Sequence, residues 1–272
     1  MTYNVTILGC GSSGGVPRVA QGWGRCDPNE PRNRRRRCSI LVRRTGAGGT
    51  TQVLVDTSPD LREQLIGESV DLLDGVIITH DHADHTHGLD DLRPLYIHNR
   101  KRIDLWHDPQ TSRVLRQRFA YAFDPPPGSA YPPILDEHYI VPEEPVSIEG
   151  AGGEVTVSAF RLPHGPDTEA LGLRFGGMAY TPDVSAIPDE RLDDLRGLDL
   201  WIVDALRIAP HPSHFTLQEA LGWIEALKPK RAVLTNLHTD LDYRTISADL
   251  PENVVAAYDG LTVDFNGSPD AF

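Results

Sequence analysis

Cysteine is scarce in this chain: Cys10, Cys26 and Cys38 are the three in 272 residues. So odd and sparse a set makes no disulfide framework, which points to an apolar core and a reducing compartment. Apolar runs of membrane-spanning or signal-peptide length are also missing, and Met1 to Gly9 has no basic start and reads as a strand. A cytoplasmic protein without membrane association is therefore expected. No repeat or linker interrupts the chain, so 1–272 reads as a single domain, long enough to bury a sizeable core. Positive charge is in deficit, with Lys+Arg 26 against Asp+Glu 39 and a formal net charge of -13. Such a chain repels polyanions, which disfavours long nucleic acids as partners. Hydrophobic residues at 39% and charged residues at 24% exclude a disordered chain.

What the chain does have is histidine, eleven residues among many carboxylates, the raw material of a metal site. Their placement follows the strands. Thr2 to Leu8 alternates and runs into the glycine-rich loop from Gly9 to Pro17; Cys38 to Arg43 and Gln52 to Asp56 read as a strand pair. Ser58-Pro59-Asp60 signals a helix with Leu61, Leu65 and Ile66 on one face, and Gly75 to Thr79 is a short buried strand ending in His80. Residues 124–149 hold seven prolines and read as a long surface excursion. Val155 to Leu162 is a strand leading to His164. Leu171 to Phe175 and Met178 to Tyr180 form a hairpin leading to Asp183. Leu200 to Val203 ends in Asp204, Leu217 to Leu227 is an amphipathic helix, and Arg231 to Thr235 leads to Asn236-Leu237-His238. Strands dominate both halves with helices between them, an α/β (α+β) pattern of two mixed sheets packed face to face with helices outside.

The string His80-Asp81-His82-Ala83-Asp84-His85 sets four potential ligands within six residues directly after a buried strand. On extended backbone His80 and His82 point the same way and can grip one cation, while Asp84 and His85 turn toward a neighbouring position. Imidazole suits zinc and related metals, and carboxylates add charge for a second ion. His164, Asp183 and His238 stand at later strand ends, placed to add a third imidazole, a bridging carboxylate and a further imidazole.

At these residues the chain resembles the metallo-β-lactamase fold superfamily, whose signature is HxHxDH followed by a histidine, an aspartate and a histidine. Within it the chain is similar to the phosphodiesterase branch that includes the phosphoribosyl cyclic phosphate phosphodiesterases and, more distantly, ribonuclease Z. The strings that carry this are Leu8 to Pro17, His85-Thr86-His87-Gly88-Leu89, Leu162-Pro163-His164, Tyr180-Thr181-Pro182-Asp183 and His214-Phe215-Thr216-Leu217. The resemblance implies a four-layer αβ/βα sandwich with two divalent metal ions, Zn2+ or Mn2+, in a cleft between the sheets. His80, His82 and His164 would hold the first metal and Asp84 and His85 the second, with Asp183 bridging. In the relatives the last histidine follows its strand as Leu-Thr-His; here that place is Asn236, so His238 is assigned with Asn236 as the alternative. Asp84, Asp183 and His214 are the expected catalytic residues, and His211 and His214 the substrate-phosphate contacts. Asp204 and Asp56 are expected to orient ligands. Some relatives add a structural zinc on clustered cysteines, whereas Cys26 stands alone here, so no such site is expected.

The implied activity is hydrolysis of a small phosphate diester, one candidate being a cyclic ribose or nucleotide-like phosphate, by attack of a metal-activated water on phosphorus. Other readings are a tRNA 3′-processing endonuclease, a thioester or lactam hydrolase, and a non-catalytic metal-binding protein. The basic run Arg32-Asn33-Arg34-Arg35-Arg36-Arg37 is a candidate to contact a phosphate or the acidic groups of a partner subunit in a homodimer.

Overall fold

The computed structural model describes residues 2–142 and 144–267. One sheet contains β1 (Thr2–Gly9), β2 (Ser39–Gly46), β3 (Gly49–Val55), β4 (Gly75–Ile77), β5 (Ile103–His107) and β6 (Leu135–Tyr139) side by side. The last strand of the chain, β14 (Thr262–Phe265), returns to the free edge of β1. The second sheet runs in chain order from β7 (Val146–Ile148) through β8 (Val155–Pro163), β9 (Glu169–Phe175), β10 (Met178–Thr181), β11 (Leu200–Asp204) and β12 (Arg231–Thr235) to β13 (Val254–Ala256). The hairpins at β1–β3 and β8–β10 are antiparallel, whereas β3 to β6 and β10 to β13 are parallel.

Parallel neighbours need crossovers, and helices supply most of them. α1 (Leu61–Gly67), α2 (Ala83–Thr86), α3 (Arg93–Asn99), α4 (Pro109–Arg118) and α5 (Ala120–Phe123) serve the first sheet; α6 (Leu217–Leu227) and α7 (Tyr243–Asp249) serve the second. Side-chain alternation sets the layers. Val5, Ile7, Ile40, Val42, Val53, Val55 and Ile77 meet Leu171, Leu173, Tyr180 and Ile202 between the sheets. Their sequence neighbours Leu8, Leu41, Leu54, Val76 and Leu105 face outward under the helices with Leu61 and Leu115. On the far side Trp201, Val203 and Leu234 pack beneath Ala220, Ile224 and Ile246. The result is the four-layer αβ/βα metallo-β-lactamase sandwich. Burial of each large aliphatic side chain contributes about 1.5–3 kcal/mol, so the strand ends stand on a firm base. Among the described residues no helix is long and apolar enough to cross a membrane.

Three sequence expectations change. The proline-rich segment contains β6 and β7, one edge strand of each sheet. The seven prolines fall before or between these two strands, at 125–127, 132, 133, 142 and 145, so neither ladder loses an N–H. In α1, Leu61, Gln64 and Leu65 are buried while Ile66 is 59% exposed, so Ile66 leaves the core face. The arginine run is consumed internally: Arg35 is buried and donates to the Leu241 carbonyl, Arg36 pairs with Asp259 and Arg37 with Asp60. Arg32 lies over the Tyr243 and Tyr258 rings and Arg34 over Trp23. The run thus ties the glycine-rich loop and α1 to the C-terminal part of the chain.

Gly88, in one of the strings that carried the resemblance, is needed for close approach. A Cβ there would lie 2.0 Å from the Ser58 carbonyl oxygen and 2.9 Å from Leu61 Cβ. Gly88→Ala should therefore cost at least about 2 kcal/mol in urea unfolding through overpacking of backbone against backbone. A change under about 0.5 kcal/mol, the range of ordinary surface substitutions, would contradict this account.

Candidate active site

The strand ends converge at one edge of the sandwich. His80 follows β4 and is 4% exposed, and His82 is still extended at φ −63°, ψ 150°. Their rings meet edge-on with centroids 4.5 Å apart. His164, after β8, brings its Nε2 to 3.1 Å from His82 Nδ1. One ring nitrogen from each of the three lies within 4.8 Å of the others.

α2 then bends the chain, so Asp84 and His85 face a neighbouring position. His85 Nε2 is 3.4 Å from Asp84 Oδ2 and 3.0 Å from Asp183 Oδ2. Asp183, buried after β10, stands between the two groups, with its Oδ1 3.8 Å from His164 Nε2. Six of the seven residues expected to ligate metal are thus brought together.

Two buried atoms of the cluster are short of hydrogen bonds: His80 Nε2 has no partner among the described residues, and Asp183 Oδ2 meets only the His85 ring nitrogen at 3.0 Å. An unsatisfied buried polar atom costs about 1–3 kcal/mol, and a convergence of such lone pairs is the arrangement a cation resolves. The donor set of imidazoles and carboxylates therefore fits divalent metal ions. Burial, with His85 nearby, holds His80 well below the ordinary imidazole value, and burial also lowers His164. Neutral imidazole is the form that ligates. Burial opposes charge on His85, but the carboxylates of Asp183, Asp56 and Asp84 outweigh it and hold that ring well above its usual value. Burial would likewise raise Asp183, yet His85, His164 and His80 keep it well below the carboxylate range.

The outer nitrogens are held in turn, which fixes ring orientation. His85 Nδ1 donates to Asp56 at 2.7 Å, and Asp56 also accepts from the Thr79 N–H and hydroxyl at 2.8 and 3.0 Å. His80 Nδ1 lies 3.0 Å from Thr79 Oγ1, and His164 Nδ1 donates to the Ser213 carbonyl at 2.8 Å. Asp56 takes a left-handed φ of 65°, a conformation aspartate tolerates better than most residues.

Asp204 ends β11 fully buried, and its Oδ2 accepts from the Val184 N–H and lies 2.7 Å from His214 Nδ1. His214 is not the cap of the following helix: Thr216 caps α6, in a reciprocal pair with Glu219. His211 sits beside it, with ring centroids 5.0 Å apart. His238 lies outside the ligand groups formed among the described residues. Its Nε2 is 2.7 Å from Arg18 Nη1 and its Nδ1 3.2 Å from Asp240. Asn236 instead is the residue against the cluster, its amide nitrogen 3.3 Å from Asp183 Oδ1. A cavity of about 250 Å³ opens over these groups, lined among others by Arg18, His82, Asp183, Arg207, His211, His214 and His238.

A family model described as a β-lactamase superfamily domain matches residues 51–236. The chain belongs to the β-lactamase superfamily. A solved structure described as a new diphosphatase from the PhnP family is 36% identical, with a TM-score of 0.85, covering 97% of this chain and 98% of that one. Zinc-bound PqqB from Methylobacterium extorquens, 19% identical with a TM-score of 0.74 over 96% of this chain and 100% of that one, shares the fold. An octanoyltransferase of Porphyromonas gingivalis is 33% identical over 260 residues, 94% of this chain and 50% of that protein. The chain thus spans about half the length of this curated relative.

Within the superfamily frame, Arg18 and Arg207 are the site residues that sequence reasoning passed over. Both follow informative strings, the glycine-rich loop and Asp204, but one basic residue in a loop carries no periodicity to mark it. Arg207 donates to the carbonyls of Ala209 and Pro210. Among the described residues no carboxylate pairs with Arg18, whose guanidinium is presented to the cavity beside His238.

Proposed function

We propose that the protein is a metal-dependent hydrolase of a small phosphodiester, or of the related phosphoanhydride bond of a diphosphate. The observation that carries this reading is a single cavity in which the imidazole–carboxylate cluster faces two arginines and three further histidines. In a chain of net charge -13, that cavity gathers cationic donors around only two carboxylates, Asp84 and Asp183. The 36% identity to a diphosphatase supports the phosphoanhydride variant.

His80, His82 and His164 would hold one metal ion and Asp84, His85 and Asp183 another. Such ions, when bound, supply Lewis acidity toward a phosphoryl oxygen and lower the pKa of water. The residues of the chain do the rest. Asp56, Thr79 and Ser213 keep the ligand rings oriented. Arg18 and Arg207 anchor phosphoryl oxygens by charge-assisted hydrogen bonds. His214, held through Nδ1 by Asp204, keeps a proton available on Nε2 for the departing oxygen. Burial works against a charged ring there, but the carboxylates of Asp204 and Asp183 push His214 up to about 9.

A turnover screen tests the reading, using bis-p-nitrophenyl phosphate, cyclic nucleotides, a nucleotide diphosphate ester and a pre-tRNA with added zinc or manganese. Cleavage of a small diester or diphosphate is expected. No cleavage of any of them at high enzyme concentration would leave only a metal-binding role. Efficient processing of the pre-tRNA would favour the nuclease, which the internal pairing of Arg35, Arg36 and Arg37 argues against. Arg18→Ala should raise KM about tenfold or more, the equivalent of one charged hydrogen bond, with a smaller effect on kcat. An unchanged KM would remove Arg18 from the substrate site.

A further inference from the structure

We propose that the two halves of the metal centre are unequal: a tight half of three imidazoles that takes zinc, and a weak, exchangeable half rich in carboxylate that prefers a harder ion such as manganese. The inference rests on the reading of the cluster as a metal centre. His80, His82 and His164 offer three imidazole nitrogens within 4.8 Å of one another. The outer nitrogens of His80 and His164 are already held by Thr79 and Ser213, so this half is pre-organised.

The other half has His85 as its single imidazole, with Asp84 and Asp183. The strand end that would complete it carries Asn236, and the contacts of Asn236 fix which way its amide faces. The amide nitrogen lies 3.1 Å from the Pro182 carbonyl oxygen and 3.3 Å from Asp183 Oδ1, both of which only accept. A carbonyl oxygen only accepts, so the amino group must point to it; the flipped amide would set oxygen against oxygen. An amide NH₂ donates hydrogen bonds and has no free lone pair for a cation. Asn236 is buried and held at a left-handed φ of 62°, so it does not swing freely into another pose. His238 cannot take its place, because Arg18 and Asp240 engage both of its ring nitrogens.

His214 groups with His164 and Asp183, but its Nδ1 is held by Asp204, so among the described residues the second half keeps His85, Asp84 and Asp183, two of the three being carboxylates. Imidazole-rich sites suit zinc, and carboxylates suit manganese and magnesium. Asn236 steadies the bridging carboxylate by hydrogen bonding rather than adding a ligand. The protein would keep one ion through dilution and gain the second only when free metal is sufficient, which makes metal supply a control on the centre.

Equilibrium dialysis of the chelator-stripped full chain against zinc alone or manganese alone, with bound metal counted per protomer, tests this. Zinc should fill in two steps whose Kd values differ about tenfold or more, and manganese should compete for the weaker step. Asn236→His should tighten the weak step about tenfold or more while leaving the tight one in place. Two equal steps in the wild type, or a folded Asn236→His protein with an unchanged gap, would overturn the proposal. If Asn236→His does not fold, Asp84→Asn decides: loss of the weak step alone supports the inequality, and loss of both steps or neither overturns it. Absence of any stoichiometric binding would instead overturn the metal-centre reading beneath it.

Discussion

Asp183→Ala is expected to lower kcat on a phosphodiester by about 10³-fold or more, beyond the 10–100-fold that follows loss of a partner outside the ligand set. The expectation comes from where the carboxylate stands. One oxygen is 3.0 Å from His85 Nε2, and the other faces His164 at 3.8 Å, His214 at 3.5 Å and the Asn236 amide at 3.3 Å. The carboxylate thus touches His85 and His164, from the two halves of the cluster, and the His214 ring as well. Removing it strips the compensating charge from four crowded imidazoles and should reduce bound metal to one ion or fewer per chain. Metal counting beside steady-state kinetics separates this from global unfolding, which circular dichroism reports. A loss under tenfold with two ions still bound would show that the carboxylate is not at the reacting centre.

How much of this was legible in the sequence depended on how local each determinant is. The run His80 to His85 carries its spacing and its preceding strand in ten residues, so its convergence could be read directly, as could the strand ends at His164 and Asp183. Asn236 and His238 could not be separated, because the sequence argument assumed extended backbone and hence one shared face for residues two apart. The left-handed φ of 62° at Asn236 breaks that alternation and carries His238 off toward Arg18. The arginine run misled for a different reason. Its partners Asp259 and Leu241 lie more than 200 residues away in the chain, so charges that read as free for a phosphate or a partner subunit are engaged internally one by one. Prolines hid β6 and β7 because the punctuation that marks a loop also marks the ends of an edge strand.

Local composition and local backbone thus marked the first residues of the cluster, while the supporting groups came from topology. Asp56 and Thr79 follow the adjacent parallel strands β3 and β4, while Asp204 ends β11 and Asn236 follows β12, its neighbour in the second sheet. Parallel pairing in register sets these ends in a row, so the fold itself places an acid behind His85 and another behind His214. In both pairs a carboxylate lies 2.7 Å from a ring Nδ1, which orients the ring and favours its charged form.

Asp204→Asn should separate those two uses. Burial pushes Asp204 up to about 7, with the His214 ring pulling the other way. The reciprocal effect holds His214 up at about 9, so in the proposed function Nε2 keeps a proton for the leaving oxygen at neutral pH. The sign follows from the direction of that shift. A raised histidine stays protonated until pH passes its folded value, so the rate that needs the acid should decline only toward pH 9. Asparagine keeps the shape, and its oxygen can stand where Oδ2 does to accept from both the Val184 N–H and His214 Nδ1, but the neutral amide removes the charge that favoured the cation. The basic limb of the kcat profile should therefore move down by more than one pH unit, and kcat at pH 8 should fall about 10²–10³-fold, the scale of a lost general acid. A substrate with a p-nitrophenolate leaving group needs little protonation, so its loss should be the smaller one. An unmoved limb, or equal losses for good and poor leaving groups, would show that Asp204 merely packs against His214 and that the proton comes from elsewhere.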